Sequence, residues 1–312
     1  MVVTACGIDM GSNSFRLLVA ELEDGRLRPL ACELVTVRLG EGLGKSGLLA
    51  PAAMARAETA LAGFAARVAA FSPGSLRVCA THAVRRAANQ KDFLAGVRSR
   101  TGFTVEVLSG EEEASLALRG VFFALPPEQR RYPFLLADVG GGSSEIIRQN
   151  TFSSPPRSVS LPLGAVGLTE EFGSDPEAIR RRVRALLNQA LEPEANLSEP
   201  GSFLVVSGGT ATSLAALSLG LVSYEARLVQ NYLLTDTELG RLVNRLASLS
   251  RDQREALPGM GQGRGGIILA GAVILQELQR TLAGQPLLVS DAGLLEGILL
   301  SGERQASCPQ RV

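Results

Sequence analysis

Ile8-Asp9-Met10-Gly11-Ser12-Asn13-Ser14 and Ala137-Asp138-Val139-Gly140-Gly141-Gly142-Ser143 decide the fold. Asp, Gly and Ser recur in register between them, 129 residues apart. Each stretch closes an apolar run, Val2–Ile8 in the first copy and Phe134–Val139 in the second. Each is followed by another strand-like run, Phe15–Leu22 or Ser144–Ile147. Both copies therefore read strand, tight turn, strand, and not the strand-to-helix turn of a dinucleotide site. Two similar domains facing each other across a cleft follow from that repeat.

The rest of the chain fills in around the two copies. Leu30–Leu39 reads as a third strand. Pro51 opens a helix to about Ala70, with apolar residues at Met54, Ala57, Leu61, Phe64, Ala65 and Val68. Leu76–Ala80 and Thr104–Leu108 read as strands, Asn89 as the cap of a helix through Val97, and Gly110–Phe123 as a helix. The polar, proline-containing stretch Pro126–Arg131 marks a boundary. Beyond it the reading places a strand at Ser158–Leu163 and a helix from Asp175-Pro176-Glu177 to about Leu191. Strands at Phe203–Ser207 and Leu287–Val289 and helices near Asp236–Ser250, Gly265–Ala283 and Ala292–Leu300 follow. The domains are expected at 1–124 and 125–291, with a closing helix at about 292–312 packing back on the first.

Composition narrows the function. Lys+Arg and Asp+Glu are both 31, so the net charge is zero and any anion site must be a local cluster; nucleic acid is not an expected partner. Only Lys45 and Lys91 are lysines, leaving 29 arginines spread along the chain, which reads as codon bias more than as phosphate recognition. One His and no Trp exclude His-rich metal sites. Cys6, Cys32, Cys79 and Cys308 lack metal-ligand or redox spacing and suit a reducing compartment. Asp9 interrupts the N-terminal apolar run, and the apolar stretches near Leu214–Val222 and Ile267–Leu275 are too short to span a bilayer. The expectation is a cytoplasmic protein with no membrane partner.

The chemistry sits at the turns. Gly11, Ser12, Asn13 and Ser14, and likewise Gly140, Gly141, Gly142 and Ser143, supply turn amides and hydroxyls that suit an anion. Asp9 and Asp138, each just ahead of its turn, are candidates to hold a divalent cation through water. Ser207-Gly208-Gly209-Thr210 is a third turn after a buried strand. Glu111-Glu112-Glu113 opens a helix, where acid also matches the helix dipole. Arg85 follows a strand end, and His82, the lone histidine, reads as structural.

Ile-Asp-Met-Gly-Ser-Asn-Ser-Phe-Arg, Ala-Thr-His-Ala-Val-Arg, Ser-Gly-Glu-Glu-Glu-Ala, Asp-Val-Gly-Gly-Gly-Ser-Ser-Glu, Ser-Leu-Pro-Leu-Gly-Ala-Val and Ser-Gly-Gly-Thr-Ala-Thr follow one another in that order. In this the chain resembles the exopolyphosphatase / guanosine pentaphosphate phosphatase (Ppx/GppA) family in its short two-domain form, from about Ile8 to about Leu300. The resemblance implies an α/β fold of the actin-like ATPase superfamily. It would have two ribonuclease-H-like domains with mixed sheets flanked by helices, and an active site in the interdomain cleft. It implies Glu113 as the residue that activates water and Arg85 as a substrate-phosphate contact. Asp138 and Glu145 become the metal-associated acids, and Gly11–Ser14 and Gly140–Ser143 the phosphate loops. Mg²⁺ is the expected cofactor, with Mn²⁺ as an alternative.

The expected activity is removal of terminal phosphates from inorganic polyphosphate. The alternative is hydrolysis of the 5′ γ-phosphate of guanosine pentaphosphate; remoter readings are an actin-like small-molecule kinase and a non-catalytic sensor. A homodimer is an allowed assembly. The family pattern is broken at Gly167, at Gly266 within Arg264-Gly265-Gly266, and at Leu295, where arginine or acid is usual.

Overall fold

The computed structural model describes residues 2–23, 26–190, 204–282 and 286–301. The expected helix end at Leu191, strand start at Phe203, helix end at Ala283 and polar tail from Gly302 lie outside them. The described chain divides into two compact units: residues up to Gly120 with those from Leu294 on, and Val121–Gly293.

In the first unit β1 (Val3–Met10), β2 (Ser14–Glu23) and β3 (Arg26–Thr36) form an antiparallel meander. The short helix α1 (Leu43–Ser46) and α2 (Pro51–Phe71) lead to β4 (Ser75–Ala80), which lies parallel to β1. After α3 (His82–Arg86) and α4 (Gln90–Thr101), β5 (Val105–Val107) adds parallel to β4, giving the order β3-β2-β1-β4-β5. Phe15, Leu17, Ile8 and Met10 meet Leu61, Phe64 and Phe93 in the core. The division falls inside α5 (Gly110–Ala124), slightly ahead of residue 124, because Phe122 in its last turn packs on Phe134, 4.4 Å between ring centres.

The second unit repeats the plan. After a single 3₁₀ turn (Pro127–Gln129), β6 (Phe134–Val139), β7 (Ser144–Gln149) and β8 (Arg157–Leu161) form the meander. Next come α6 (Ala165–Phe172), α7 (Pro176–Ala190), β9 (Leu204–Ser207), α8 (Gly209–Ser218) and α9 (Ala226–Val229). The edge strand β10 (Leu233–Leu234), α10 (Asp236–Ser248), α11 (Arg251–Glu255), α12 (Ile268–Leu282) and β11 (Leu287–Val289) complete it. The sheet order is β10-β11-β9-β6-β7-β8, with β9 parallel to β6 and β11 parallel to β9. Strands β8-β7-β6-β9-β11 thus match β3-β2-β1-β4-β5 in order and direction, so both units are ribonuclease-H-like, and β10 is an addition to the second. The last helix, α13 (Leu294–Leu300), packs on β1 and β2 of the first unit, with Leu295 and Leu299 against Ala5, Leu18 and Ala20. No described helix is long and apolar enough to cross a membrane.

Two local readings are corrected. The third strand is Arg26–Thr36, not Leu30–Leu39, because the ladder to β2 continues to Glu23↔Arg26. Pro29 is tolerated there because β3 is an edge strand and the ladder shifts register between Val19 and Ala20. Asn89 makes no capping hydrogen bond; its amide instead bridges to Leu49, accepting from the backbone N–H (2.9 Å) and donating to the carbonyl (3.0 Å). The third turn, at Gly208, joins a strand directly to α8 and makes no hairpin. Asp175 does cap α7, accepting from the Glu177 and Ala178 amides at 3.0 Å.

Candidate active site

In the first unit the Ser109 hydroxyl accepts from the Glu112 amide (3.2 Å), and Glu112 Oε2 accepts from the Ser109 amide (2.8 Å). That reciprocal cap occupies Glu112 and holds its carboxyl below the usual range, chiefly through the backbone bond. One residue further round α5, Glu113 is 6% exposed, and its Oε2 accepts from Arg85 Nη1 at 2.9 Å. The same Nη1 donates to the Leu108 carbonyl at 2.6 Å. Arg85 Nε and Nη2 meet no hydrogen-bond partner among the described residues, so one edge of the guanidinium fork is left for another anion. The helix α3 that carries Arg85 begins at His82, whose pKa burial lowers to about 4, with Arg85 and Arg86 adding to the effect. His82 is therefore neutral.

The first glycine turn is tied down from one side. The Ser12 carbonyl accepts from Gly40 N–H (2.8 Å), and the Asn13 carbonyl from Val37 and Arg38 N–H (3.0 and 2.7 Å). A trans peptide points its N–H opposite to its C=O, so the Asn13 amide faces the other way. Asp9, directly opposite Arg16 across the hairpin, binds its guanidinium through Oδ2 at 3.0 and 2.8 Å, while Oδ1 is buried without a partner. Asp9 is thus already paired with a cation of its own chain, which weakens the reading of it as a metal ligand.

In the second unit Ala165 N–H donates to the Gly140 carbonyl (3.2 Å) and Val166 N–H to that of Gly141 (2.8 Å). By the same geometry the Gly141 and Gly142 amides point away from α6, and neither meets an acceptor among the described residues. Two successive free amides form an anion-binding concavity. The seat is built on Gly164, where a Cβ would come within 2.4 Å of Gly141 and Gly142 backbone. Glu145 stands opposite Asp138 in the ladder, the position that Arg16 holds against Asp9 in the first copy. The second hairpin therefore presents two carboxylates side by side. Ser207 Oγ donates to Asp138 Oδ1 (2.9 Å), and Ser160 Oγ to Glu145 Oε1 (2.7 Å). Like charges directly opposite repel, and a hard all-oxygen pair of this kind suits a divalent cation that keeps several waters. No three His, Cys, Asp or Glu gather among the described residues, so water and substrate oxygens would supply the remaining ligands.

The third turn is also a close approach. Gly208 has φ +91°, and a Cβ there would lie 2.6 Å from the Val139 carbonyl. Gly209 opens α8 with the Arg264 guanidinium lying on it, filling the space a side chain would need. Arg264 was no candidate from sequence. It lies in the glycine-rich stretch 259–266, and Glu255 aims it by accepting from the Gly263 and Gly265 amides, the latter at 2.8 Å. The pair of glycines flanking a single arginine was the signal available. Of the departures from the family pattern, a Cβ at Gly167 would meet nothing within 4 Å, Gly266 faces the Arg251 side chain, and Leu295 is buried in the α13 packing.

A model of the Ppx/GppA phosphatase family matches residues 18–306. Exopolyphosphatase 2 of Mycobacterium tuberculosis is 35% identical over 312 residues, covering 94% of this chain and 97% of its own. Exopolyphosphatase 1 of the same organism is 30% identical over 305 residues, covering 94% and 86%. Among solved structures, the Ppx/GppA family member of Aquifex aeolicus superposes with TM-score 0.78 at 29% identity, covering 96% of this chain and 97% of that one. An exopolyphosphatase of Cytophaga hutchinsonii gives TM-score 0.84 at 26% identity, covering 94% and 96%. The motifs, the repeated sheet and these matches agree: the chain is a hydrolase and belongs to the Ppx/GppA phosphatase family.

Proposed function

We propose that the protein is a divalent-cation-dependent exopolyphosphatase that removes the terminal phosphate of inorganic polyphosphate. The observation that carries the reading is Glu113: a buried carboxylate on the first turn of α5, held by Arg85, while its neighbour Glu112 is spent on the helix cap. A carboxylate so held suits orienting a water and accepting its proton. Arg85 would bind a phosphate oxygen through its uncommitted edge, and the Gly141, Gly142 and Asn13 amides would add neutral donors. A cation such as Mg²⁺ or Mn²⁺ held by Asp138 and Glu145 would offset charge on the phosphoryl oxygens. The shortened polyphosphate is a good leaving group, so the chain needs to supply no strong acid.

One observation favours a second reading, guanosine pentaphosphate. Tyr224 is 45% exposed, and its hydroxyl donates to Asp291. Burial and Asp291 push its pKa up, with Thr212 and Arg264 acting on the same hydroxyl. An aromatic face with an acid beside it is what a purine base needs. Phosphate release from polyphosphate and from guanosine pentaphosphate, and ADP formation from ATP with sugars, separate these readings and the kinase. In a competition assay, polyphosphate is expected to win. A specificity constant about 10-fold higher for guanosine pentaphosphate, roughly 1.4 kcal/mol of transition-state stabilisation, would reverse the order.

A further inference from the structure

Arg148 on β7 and Arg157 on β8 stand directly opposite each other in the antiparallel ladder, with their side chains on one face. Like charges in that relation destabilise a sheet. Neither forms an ion pair or a side-chain hydrogen bond among the described residues. Arg148 Nε is buried and has no partner. A buried donor without an acceptor is costly and calls for an ion or water to complete it. The two arginines continue the row that begins with Ile146 on β7 and with Leu161 and Val159 on β8, where the apolar contact with the helices ends. α7 packs on β8 and brings Arg181 and Arg182, both exposed and outside any ion pair among the described residues. In a chain of zero net charge, these adjoining elements thus carry four arginines outside any ion pair among the described residues.

We propose that Arg148 and Arg157 form a second anion site that takes phosphates of a polyphosphate chain away from the end being cleaved. The inference rests on the polyphosphate reading for its ligand. Arg148 on β7 is five residues beyond Ser143, the last residue of the glycine turn, roughly 16 Å at the rise of a strand. Tripolyphosphate is too short to occupy the glycine turn and this pair together, whereas a long chain can. The paired guanidinium forks match phosphate oxygens; Arg148 is half-buried with its Nε enclosed and Arg157 is exposed, so the site is open on the Arg157 side.

The test compares binding of long-chain polyphosphate and of tripolyphosphate by calorimetry in wild type, Arg157→Gln and Arg157→Glu, each checked for folding by its melting temperature. Arg157→Glu places a carboxylate opposite Arg148 and should leave the melting temperature unchanged or higher. Long-chain affinity should fall about tenfold relative to tripolyphosphate affinity, the loss expected for one charge-assisted contact. Equal shifts for both ligands, or no shift for the long chain, would overturn the site. Phosphate release by wild type is measured alongside. Its absence with both polyphosphates would refute the enzymatic reading, while the calorimetric difference would still decide the anion site.

Discussion

Glu112 and Glu113 are neighbours of one chemical type, and the backbone gives them separate work. Glu113→Gln is expected to lower turnover at least about 100-fold with substrate still bound, the usual cost of a lost general base. Glu112→Gln should keep turnover and cost at most about 1 kcal/mol in denaturant unfolding, since glutamine can still reach the cap. The reverse pattern in steady-state kinetics would shift the assignment by one residue. Arg85→Lys should raise KM or slow turnover with the fold intact, because an ammonium cannot keep the Glu113 and Leu108 contacts and also offer a flat fork to phosphate. His82 carries a pH signature. Its folded pKa of about 4 lies below the ordinary histidine value of about 6.5, so the unfolded chain binds the extra proton in between. The stability it permits is complete above about pH 6.5 and is lost as pH falls toward 4, by roughly 1–3 kcal/mol. Denaturant melts at pH 7 and pH 5 should show that slope in wild type and a shallower one in His82→Gln.

At the scale of elements, the glycine turns are legible in sequence but their seats are not. Asp-Met-Gly-Ser-Asn-Ser and Asp-Val-Gly-Gly-Gly-Ser announce tight turns after strands, and both fall between the strands expected of them. Nothing local says that 37–40 grips the first turn, or that Gly164 at the start of α6 carries the second. Those partners are distant in sequence, and α6 is short. Gly164→Ala is expected to destabilise by about 1–3 kcal/mol through overpacking and to reduce phosphate affinity. Gly167→Ala, with open space around it, should change neither by much; melting temperature and KM measured on both variants check the contrast. Asn89 shows the same limit from the other side: its residue type favours a cap, but tertiary contact with Leu49 claims the side chain.

For the whole molecule the cation is the sharpest test. Mg²⁺ at about 100 times its dissociation constant should stabilise the wild-type protein by about 2.7 kcal/mol, seen as a raised melting temperature. Asp138→Ala should lose both that shift and the activity, and EDTA should silence wild type; full activity in excess EDTA would remove the cation from the account.

The sequence alone determined the repeated strand–turn–strand plan and the two-unit organisation, and through its motif order it offered Glu113, Arg85, Asp138 and Glu145 as candidates. Local alternation, glycine at forced turns and motif order carry that information along the chain. Only the tertiary structure decided that Asp9 is engaged by Arg16 while Asp138 faces Glu145, that Glu112 is the cap, that Arg264 lies on Gly209, and that Arg148 and Arg157 oppose each other. Each of these depends on strand register or on packing between distant segments, where a shift of one residue would turn every side chain to the other face.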